Sequence, residues 1–511
     1  MRKAIVLILI SAFQLMLAGT SRAQTKPNII VFLVDDMGWM DTSLPFGETV
    51  MALNKRYHTP NMVKLASQGV KFTNAYAAPV CTPSRVSLMS GMNAAHHMVT
   101  NWTSLEKNTP SDFDSKENPF ITPKWNINGM SPTAGIPATV QVTPLPQLLK
   151  DAGYFTIHVG KAHFAAAGTP AASPYNVGFI VNIAGNIAGQ PQSYLGEENY
   201  GNMPGKTTYY AVQDLTQYYG TKTFLTEALT LEAKKAMDYP IQKKQPFFLY
   251  MAQYAVHLPV NPDDRFYEKY LKNGLDSNSA KYASMVEGMD KSLGDLMDYL
   301  EEKKVAQQTV VIFMSDNGGN SVSTARGGAL HTQNLPLREG KGSVYEGGIR
   351  EPMIVKWPGV TKPGTKSDEP VIIEDFFPSI LEMAGVSKPK VVQEIDGQSF
   401  VPLLKGNAKA SQPRILTWHY PNKWKAKELP QIDYMSAIRK GDWKMVYDMK
   451  TQQLELYNLK LDLGEANNVA SANPEKVKEL AKLLSDRFRK WKTLMPTYKA
   501  TGRLVALPDE L

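Results

Sequence analysis

Cysteine is almost absent from this chain, since Cys81 is the only one among 511 residues. A single thiol cannot form a disulfide within its own chain, which excludes a disulfide-stabilised fold. Cys81 is therefore either a small buried hydrophobic residue or a group reserved for chemistry. The sequence also lacks internal repeats and low-complexity tracts. A chain of this length predicts one large domain and a small one.

Hydrophobic runs of nearly membrane-spanning length are lacking everywhere except at the N-terminus. Arg2 and Lys3 precede an apolar stretch, Ala4–Ala18, and Ser21-Arg22-Ala23 follows it, which is typical of a cleaved export signal. The stretch is shorter than the roughly 20 residues that span a bilayer, and no cysteine follows it for a lipid anchor. We predict a signal peptide over residues 1–23 and an exported chain, periplasmic rather than secreted, with no membrane span after cleavage. The alternative is an uncleaved N-terminal anchor.

Neither sign of charge is concentrated along the chain. Lys and Arg number 56 against 48 Asp and Glu, and the formal net charge is +8 at pH 7. Proteins that bind nucleic acid usually carry a concentrated basic face, so we predict no nucleic-acid partner. The mild positive excess suits an anionic substrate.

Buried strand patterns and amphipathic helices alternate as far as residue 408. A continuous apolar run, typical of a strand buried on both faces, occurs at Asn28–Val34. A second buried strand is predicted at Pro246–Met251, and further strands are predicted at Tyr154–Val159, Thr309–Met314 and Pro352–Lys356. Helical periodicity is found between them at Met62–Gln68, Pro144–Asp151, Phe224–Met237 and Lys281–Lys304, and after them at Asp375–Met383. This order predicts an α/β fold with a parallel sheet.

The pattern changes near residue 409. Short strands then follow one another without helices between them, and one amphipathic helix covers Glu475–Trp491. We predict a large α/β domain over residues 24–408 and a small α+β domain over residues 409–511, with an antiparallel sheet and one long helix.

Polar clusters stand where four of the predicted strands end. These clusters are Asp35-Asp36, Lys161 with His163, His257, and Asp316-Asn317. The carboxyl ends of parallel strands line one edge of a sheet, where ligands bind, so we expect these residues to meet. Carboxylate and amide oxygens bind hard cations such as Ca²⁺ or Mg²⁺, and lysines suit the oxygens of an anion. The two histidines can exchange protons near neutral pH.

The lone cysteine lies in the stretch Cys81-Thr82-Pro83-Ser84-Arg85. Pro83 favours a turn, and Ser84 suits the cap position of a helix that begins near Arg85. Cys81 would then lie beside a helix N-terminus, where backbone N–H groups favour an anion.

This stretch resembles the signature of the type I, formylglycine-dependent sulfatases, Cys-x-Pro-x-Arg followed by a short helix and Ser-Gly. The other clusters occur in that family's order: an Asp pair after the first strand, Lys-x-His, His-x-Pro, Asp-Asn, and a lysine after Leu-Arg-x-Gly, here Lys341. The chain looks most like exported bacterial carbohydrate sulfatases. The resemblance implies a sulfuric ester hydrolase with the alkaline phosphatase-like fold, a large mixed, mostly parallel sheet sandwiched by helices.

The resemblance also implies a role for each site residue. A maturation enzyme would oxidise Cys81 to formylglycine (3-oxoalanine), whose hydrate is the nucleophile. The ligands of one Ca²⁺ would be Asp35, Asp36, Asp316, Asn317 and the modified Cys81. Arg85 and Lys161 would stabilise the hydrated nucleophile, and His163 would act as its base. The substrate sulfate would be bound by Lys161, His257 and Lys341, with His257 also protonating the leaving alcohol.

Three positions depart from the family pattern. Ala162 stands where an aromatic residue is common, Val256 where proline usually precedes the histidine, and Glu339 where glycine is usual. None of them removes a charged or metal-binding group, but Ala162 and Glu339 could reshape the substrate pocket. Further matches to the family are Asp290, Asp396-Gly397 and Glu455-Leu456-Tyr457-Asn458.

The substrate that the resemblance suggests is a sulfated sugar, and we favour an exo-acting enzyme on galactose or N-acetylgalactosamine. Residues 164 to 221 form a long irregular region, which is typical of binding loops. The aromatic residues of Tyr194–Tyr219 and of Trp418-His419-Tyr420 could stack on sugar rings or could serve packing.

Two alternatives stay open. A phosphatase or phosphodiesterase of the same superfamily would use a Ser or Thr nucleophile and two Zn²⁺ ions with several histidine ligands, whereas this chain has eight His in all. An inactive sulfoglycan-binding homologue would keep Cys81 unmodified.

Overall fold

The structure is a computed structural model that describes residues 26–114, 117–407, 413–424 and 431–511. The predicted signal peptide over residues 1–23 and the predicted domain boundary at residues 408–409 lie outside these ranges, and both stay predictions. Within the described ranges, no helix is both long enough and apolar enough to cross a membrane.

The strands of the described residues fall into one large sheet, one small sheet and two short pairs. They are β1 (Asn28–Val34), β2 (Val70–Tyr76), β3 (Phe120–Ile121), β4 (Met130–Ser131), β5 (Val140–Gln141), β6 (Phe155–Gly160), β7 (Val181–Ile183), β8 (Phe247–Ala252), β9 (Thr309–Ser315), β10 (Arg350–Lys356), β11 (Thr365–Ser367), β12 (Val371–Ile372), β13 (Ile415–Tyr420), β14 (Met435–Lys440), β15 (Trp443–Asp448), β16 (Gln453–Asn458) and β17 (Thr497–Tyr498).

The large sheet has the strand order β11-β2-β10-β9-β1-β8-β6-β7, with β12 also paired to β2. Strand β10 runs antiparallel to its neighbours β2 and β9, whereas the other pairs are parallel. Because β1 lies between β8 and β9, all seven of its residues are buried, as its continuous apolar run predicts. The large, mixed, mostly parallel sheet is therefore confirmed.

Helices cover both faces of this sheet. The α-helices of the described residues are α1 (Pro60–Gln68), α2 (Cys81–Ser90), α3 (Ala94–His97), α4 (Leu145–Asp151), α5 (Leu225–Lys243), α6 (Tyr267–Lys272), α7 (Ser277–Glu302), α8 (Glu346–Ile349), α9 (Phe376–Met383), α10 (Val401–Leu404) and α11 (Pro474–Trp491). Alternate side chains of a strand point to opposite faces. Ile30 and Phe32 of β1 thus share a core with α5 and α7, and Ile29 and Val31 share another with α2 and α9.

Two aspartates connect the long helix α7 to helix ends. Asp276 caps α7 itself, and Asp290 within α7 accepts hydrogen bonds from the start of α1. Asp276 Oδ1 accepts hydrogen bonds from the backbone N–H groups of residues 278 and 279, both at 3.0 Å. Asp290 in turn accepts from the N–H groups of Asn61 at 3.0 Å and Met62 at 2.8 Å, in the first turn of α1. This family-matching residue therefore holds two helices together.

The C-terminal part forms the small antiparallel sheet β13-β14-β15-β16, covered by α11. Leu480, Leu484 and Phe488 of α11 pack in one core with Met445 and Leu456 of the sheet. The predicted antiparallel sheet with one long helix is confirmed.

A buried ion cluster joins the small sheet to the loop after β9. Lys444 Nζ of β15 lies 2.9 Å from Glu346 Oε1 and 2.8 Å from Glu465 Oε1. Arg350 lies 2.9 Å from the other oxygen of Glu346. Buried charges persist only when each is paired, so this cluster fixes α8, which begins five residues after Lys341.

Candidate active site

The ends of the two central strands bring four oxygen-bearing residues together. Strands β1 and β9 run parallel with Val34 opposite Ser315, so Asp35-Asp36 and Asp316-Asn317 leave the sheet side by side. The backbone N–H of Asp316 donates to Val34 O at 3.0 Å, and that of Asp36 donates to Asp316 Oδ1 at 3.2 Å. The local backbone thus orients both pairs of side chains into one pocket.

Three buried carboxylates and an amide in this pocket fit a hard cation. Asp35, Asp36 and Asp316 each offer an oxygen that lies within 4.8 Å of the other two. Burial and the neighbouring Asp35 raise the pKa of Asp316 to about 6. Asn317 Oδ1 is buried and has no hydrogen-bond partner among the described residues. An oxygen-binding divalent cation such as Ca²⁺ would satisfy this amide and offset the repulsion between the carboxylates.

Each of the three carboxylates is also paired closely with a buried lysine or arginine. The pairs are Lys161–Asp35 at 2.7 Å, Arg85–Asp316 at 2.8 Å and Lys341–Asp36 at 2.6 Å. Burial alone would raise the pKa of Asp36, but Lys341, His257 and Lys161 outweigh it and hold this pKa well below the usual range. Fixed ammonium groups beside a cation site can bind the oxygens of a tetrahedral anion.

Cys81 is the first residue of α2, deep in the same pocket. The prediction that Ser84 caps a helix beginning near Arg85 is wrong. Ser84 Oγ instead accepts a hydrogen bond from the N–H of Ala78 at 3.0 Å, and the helix starts earlier because Pro83 in its first turn needs no N–H partner. Burial raises the pKa of the Cys81 thiol, so this side chain is not a ready thiolate.

His163 lies beside Cys81 with one ring nitrogen free to accept a proton. Its Nε2 lies 3.1 Å from the carbonyl oxygen of Thr103, which can only accept, so Nε2 carries the proton. Its Nδ1 lies 3.6 Å from Cys81 Sγ and 3.3 Å from Thr82 Oγ1. Burial, and then Lys161, lower the pKa of His163 well below its ordinary value. A neutral imidazole in this position can accept a proton from a group on residue 81.

His257 approaches the pocket from the side of Asp36. Its Nδ1 donates to Leu258 O at 2.9 Å, and its Nε2 lies 3.5 Å from Asp36 Oδ2. Burial lowers the pKa of His257 to about 3, although Asp36 raises it. An anion bound beside Nε2 would act in the same direction as Asp36 and favour the protonated ring.

Known proteins match this chain along most of its length. A family model described as Sulfatase matches residues 27–386, which is more than half of the chain. The chain belongs to the sulfatase family. A second model, described as N-sulphoglucosamine sulphohydrolase, C-terminal, matches residues 340–493 and therefore includes most of the small domain of this sulfatase.

Individual sulfatases support the same assignment. A protein named Sulfatase from Formosa agariphila is 31% identical, with 92% of this chain and 89% of that protein covered. The N-acetylgalactosamine-6-sulfatase of Homo sapiens is 28% identical, with coverages of 94% and 88%. The crystal structure of Ps i-CgsB in complex with k-i-k-neocarrahexaose is 25% identical, has a TM-score of 0.70 and covers 91% of this chain and 93% of that chain. The protein is thus a sulfatase of the alkaline phosphatase-like superfamily, which favours sulfate ester hydrolysis over the phosphatase alternative.

Sequence reasoning missed the residues that hold the sulfatase site in shape. Thr103 fixes the tautomer of His163 through its carbonyl oxygen. Asp41 accepts a hydrogen bond from the N–H of Gly38 at 2.8 Å, just after Asp35-Asp36, and pairs with the buried Arg326. Thr103 and His163 lie 60 residues apart along the chain, and Asp41 and Arg326 lie 285 residues apart. No local pattern marks them, because any residue can supply a carbonyl and buried aspartates look like turn residues.

The aromatic segments of the sequence differ in their availability to a sugar. Trp418-His419-Tyr420 is buried, and Trp418 Nε1 donates to Ala77 O at 2.9 Å, so this segment serves packing. Tyr194 and Tyr200 are also fully buried, whereas Tyr209 is 73% exposed. Of these aromatic residues, Tyr209 has a ring that a sugar could reach.

Two other family-matching residues have structural roles in this sulfatase. Asp396 Oδ2 accepts from the N–H of Asn93 and lies 2.8 Å from His96 Nδ1, which ties the loop before α10 to α3. Glu455 accepts from the hydroxyl groups of Tyr345 at 2.5 Å and Tyr457 at 2.7 Å. Both sets of contacts stabilise the fold around the site, and neither residue takes part in the reaction that we describe.

Proposed function

We propose that this sulfatase hydrolyses O-sulfate esters of a sulfated sugar, with residue 81 as formylglycine and one Ca²⁺ among the carboxylates. The observation that carries the proposal is the position of Cys81, at a helix N-terminus and 3.6 Å from the unprotonated Nδ1 of His163. The modified residue supplies a hydrated aldehyde as nucleophile, and the Ca²⁺ supplies positive charge for one sulfate oxygen. The ligands proposed for this ion are Asp35, Asp36, Asp316, Asn317 and the modified residue 81.

The chain's own side chains bind the sulfate and move two protons. Lys161 and Lys341 hold sulfate oxygens with their ammonium groups, and Arg85 together with Lys161 stabilises negative charge on residue 81. His163 Nδ1 accepts a proton from residue 81, and His257 Nε2 gives a proton to the oxygen of the leaving alcohol. A covalent route of this kind divides one difficult displacement into two easier steps.

The substrate class that we propose is a terminal sulfated galactose or N-acetylgalactosamine. One relative is named for N-acetylgalactosamine 6-sulfate, and another was crystallised with k-i-k-neocarrahexaose. Lys161, His163 and Lys341 are nearly fully buried, so the sulfate would be bound below the protein surface, where a chain end reaches more easily than a chain interior. We also propose that residues 1–23 direct the enzyme out of the cytoplasm, to the periplasm.

The experiment that tests this function is sulfate release by the chain produced together with a formylglycine-generating enzyme. The substrates are galactose and N-acetylgalactosamine with a sulfate at position 4 or 6, with 4-nitrophenyl phosphate as the phosphatase control. We expect sulfate release from at least one sugar, a loss of activity with EGTA that Ca²⁺ reverses, and a loss of about 10³-fold or more in Cys81→Ala.

The alternatives give different results in the same experiment. Phosphate release that depends on two bound Zn²⁺ ions would support the phosphatase. A wild-type chain that binds the sulfated sugars, keeps a free thiol at residue 81 and releases no sulfate would support the inactive binding homologue. Full sulfatase activity in Cys81→Ala would rule out residue 81 as the nucleophile.

A further inference from the structure

Glu339 has a backbone conformation that is strained for a residue with a side chain. Its φ is +61°, in the left-handed region that favours glycine, and the φ of His331 is +60°. The two side chains meet, with His331 Nδ1 2.6 Å from Glu339 Oε2. Strained residues persist where the surrounding structure holds them, often at functional sites.

Both residues of this pair are fixed to the backbone of the proposed active site. A side chain at Gly340 would lie 2.3 Å from Gly319 O, so the residue after Glu339 packs tightly against the loop that follows Asn317. The N–H of Lys341 donates to Gly319 O at 3.2 Å, and the N–H of His331 donates to Ser321 O at 2.7 Å. The pair is therefore placed by the same loops as the cation-binding group and Lys341.

Exposure increases outward from the proposed sulfate site. The side chain of Lys341 is 5% exposed, that of Glu339 is 9% exposed and that of His331 is 39% exposed. His331 thus reaches the solvent, with the buried carboxylate of Glu339 behind it. A ligand whose sulfate lies beside Lys341 would extend its sugar ring towards the solvent, in the direction of increasing exposure.

We propose that His331 determines specificity by binding a hydroxyl group of the sugar that carries the scissile sulfate, and that Glu339 positions its ring. The inference rests on the proposed function. The carboxylate accepts a hydrogen bond from Nδ1–H of His331, which leaves Nε2 to hydrogen-bond the hydroxyl. The partner is a neutral hydroxyl rather than a second sulfate, because the negative charge of Glu339 offsets any positive charge on the imidazole.

The test compares a ligand that has the sugar with one that lacks it. The substrate is the sulfated sugar that the wild-type enzyme turns over best, and the second ligand is inorganic sulfate, whose inhibition constant reports the sulfate site alone. In His331→Ala and Glu339→Gly we expect kcat/KM for the sugar to fall about 10- to 100-fold, while the inhibition constant of sulfate changes less than about twofold. The double variant should lose no more than either single variant, because the two residues act as one unit.

Two controls accompany this test: the thermal stability of Glu339→Gly, and a second histidine–glutamate pair elsewhere in the protein. Glycine is unstrained at φ +61°, so Glu339→Gly should keep the thermal midpoint of the wild type. His58 also pairs with a glutamate, Glu287 of α7, at 3.0 Å, and Lys269 of α6 contacts the same oxygen at 2.6 Å. We expect His58→Ala to leave both kcat/KM and the inhibition constant unchanged.

Three results would overturn this assignment in different ways. Unchanged kcat/KM in His331→Ala would refute it, and so would a parallel weakening of inorganic sulfate, which indicates a general disturbance of the Lys341 loop. A wild-type enzyme that releases no sulfate from any of the sugars would refute the proposed function itself, and the sugar contact with it.

Discussion

The buried ammonium group of Lys444 carries the contact between the small sheet and the loop that ends in α8. Replacing it in Lys444→Met keeps most of the volume but leaves Glu346 and Glu465 buried together without the group that they share. Removing one partner from a buried ion pair destabilises proteins by about 3–5 kcal/mol, and we expect a loss of free energy of unfolding in that range. Lys440→Met, on β14, is the control. Its partner Glu479 is 35% exposed, so the expected loss is about 0.2–1 kcal/mol.

The pH dependence of the Lys444→Met loss provides a sharper test. Burial raises the pKa of Glu465 from 4.5 to about 7, even though Lys444 lowers it, so this pKa should rise further without Lys444. A carboxyl group with a raised folded pKa stabilises the fold at low pH, and this stabilisation is lost as the pH rises through that pKa. The loss of free energy of unfolding caused by Lys444→Met should therefore be smaller at pH 6 than at pH 8.5.

The assay is thermal and denaturant unfolding of wild type, Lys444→Met and Lys440→Met at both pH values. Trp418 provides a local signal, because Lys444 Nζ lies 5.9 Å from its ring. A loss in Lys444→Met no larger than that in Lys440→Met, or one that is the same at both pH values, would show that the cluster does not hold the two parts together.

Three further predictions concern the helix cap, the base and a buried glutamate. Asp290→Ala removes the acceptor of two backbone N–H groups of α1 and should lower the free energy of unfolding by about 1–3 kcal/mol. Asp295→Ala, in a partly exposed pair of α7, should change it by less than about 0.5 kcal/mol, and equal losses would contradict the cap. His163→Ala should lower kcat by about 10²–10⁴-fold while inorganic sulfate still inhibits, and an unchanged kcat would exclude it as the base. Burial raises the pKa of Glu374 to about 8, so this residue, like Glu465, should lower wild-type stability as the pH rises from about 5 to 8. The fall should be smaller in Glu374→Gln, and an identical pH profile in both proteins would contradict this reasoning.

Much of the fold could be predicted because the central strands β1, β8 and β9 of the large sheet are buried on both faces. A run such as Ile29–Val34 has no polar residue, and its burial against β8 and β9 leaves it no other environment. The same topology explains why Asp35-Asp36 and Asp316-Asn317 meet, since parallel strands end at one edge. The α7 helix was expected to begin at Lys281, and the structure extends it back to Ser277, because its first turn follows the polar cap Asp276 rather than an apolar stripe.

Other features depend on tertiary contacts that no local pattern encodes. Serine is common at helix caps, but the hydroxyl group of Ser84 accepts a hydrogen bond from the turn before α2 instead. Tryptophan is a residue type that stacks on sugars, yet Trp418 of the small sheet donates a hydrogen bond to Ala77 O. The Glu339–His331 contact joins residues eight apart across a loop, and only the departure from glycine at residue 339 signals it.

We propose that residue 81 is converted from cysteine and then carries the reaction, and the mass of its tryptic peptide tests this most directly. The chain is produced with a formylglycine-generating enzyme, and the same sample is assayed for sulfate release from sulfated galactose and N-acetylgalactosamine. We expect a peptide about 18 Da lighter than the cysteine form, or its hydrate, that reacts with an aldehyde probe, together with measurable sulfate release. Sulfate release by a sample whose residue 81 is entirely an alkylatable thiol would contradict it.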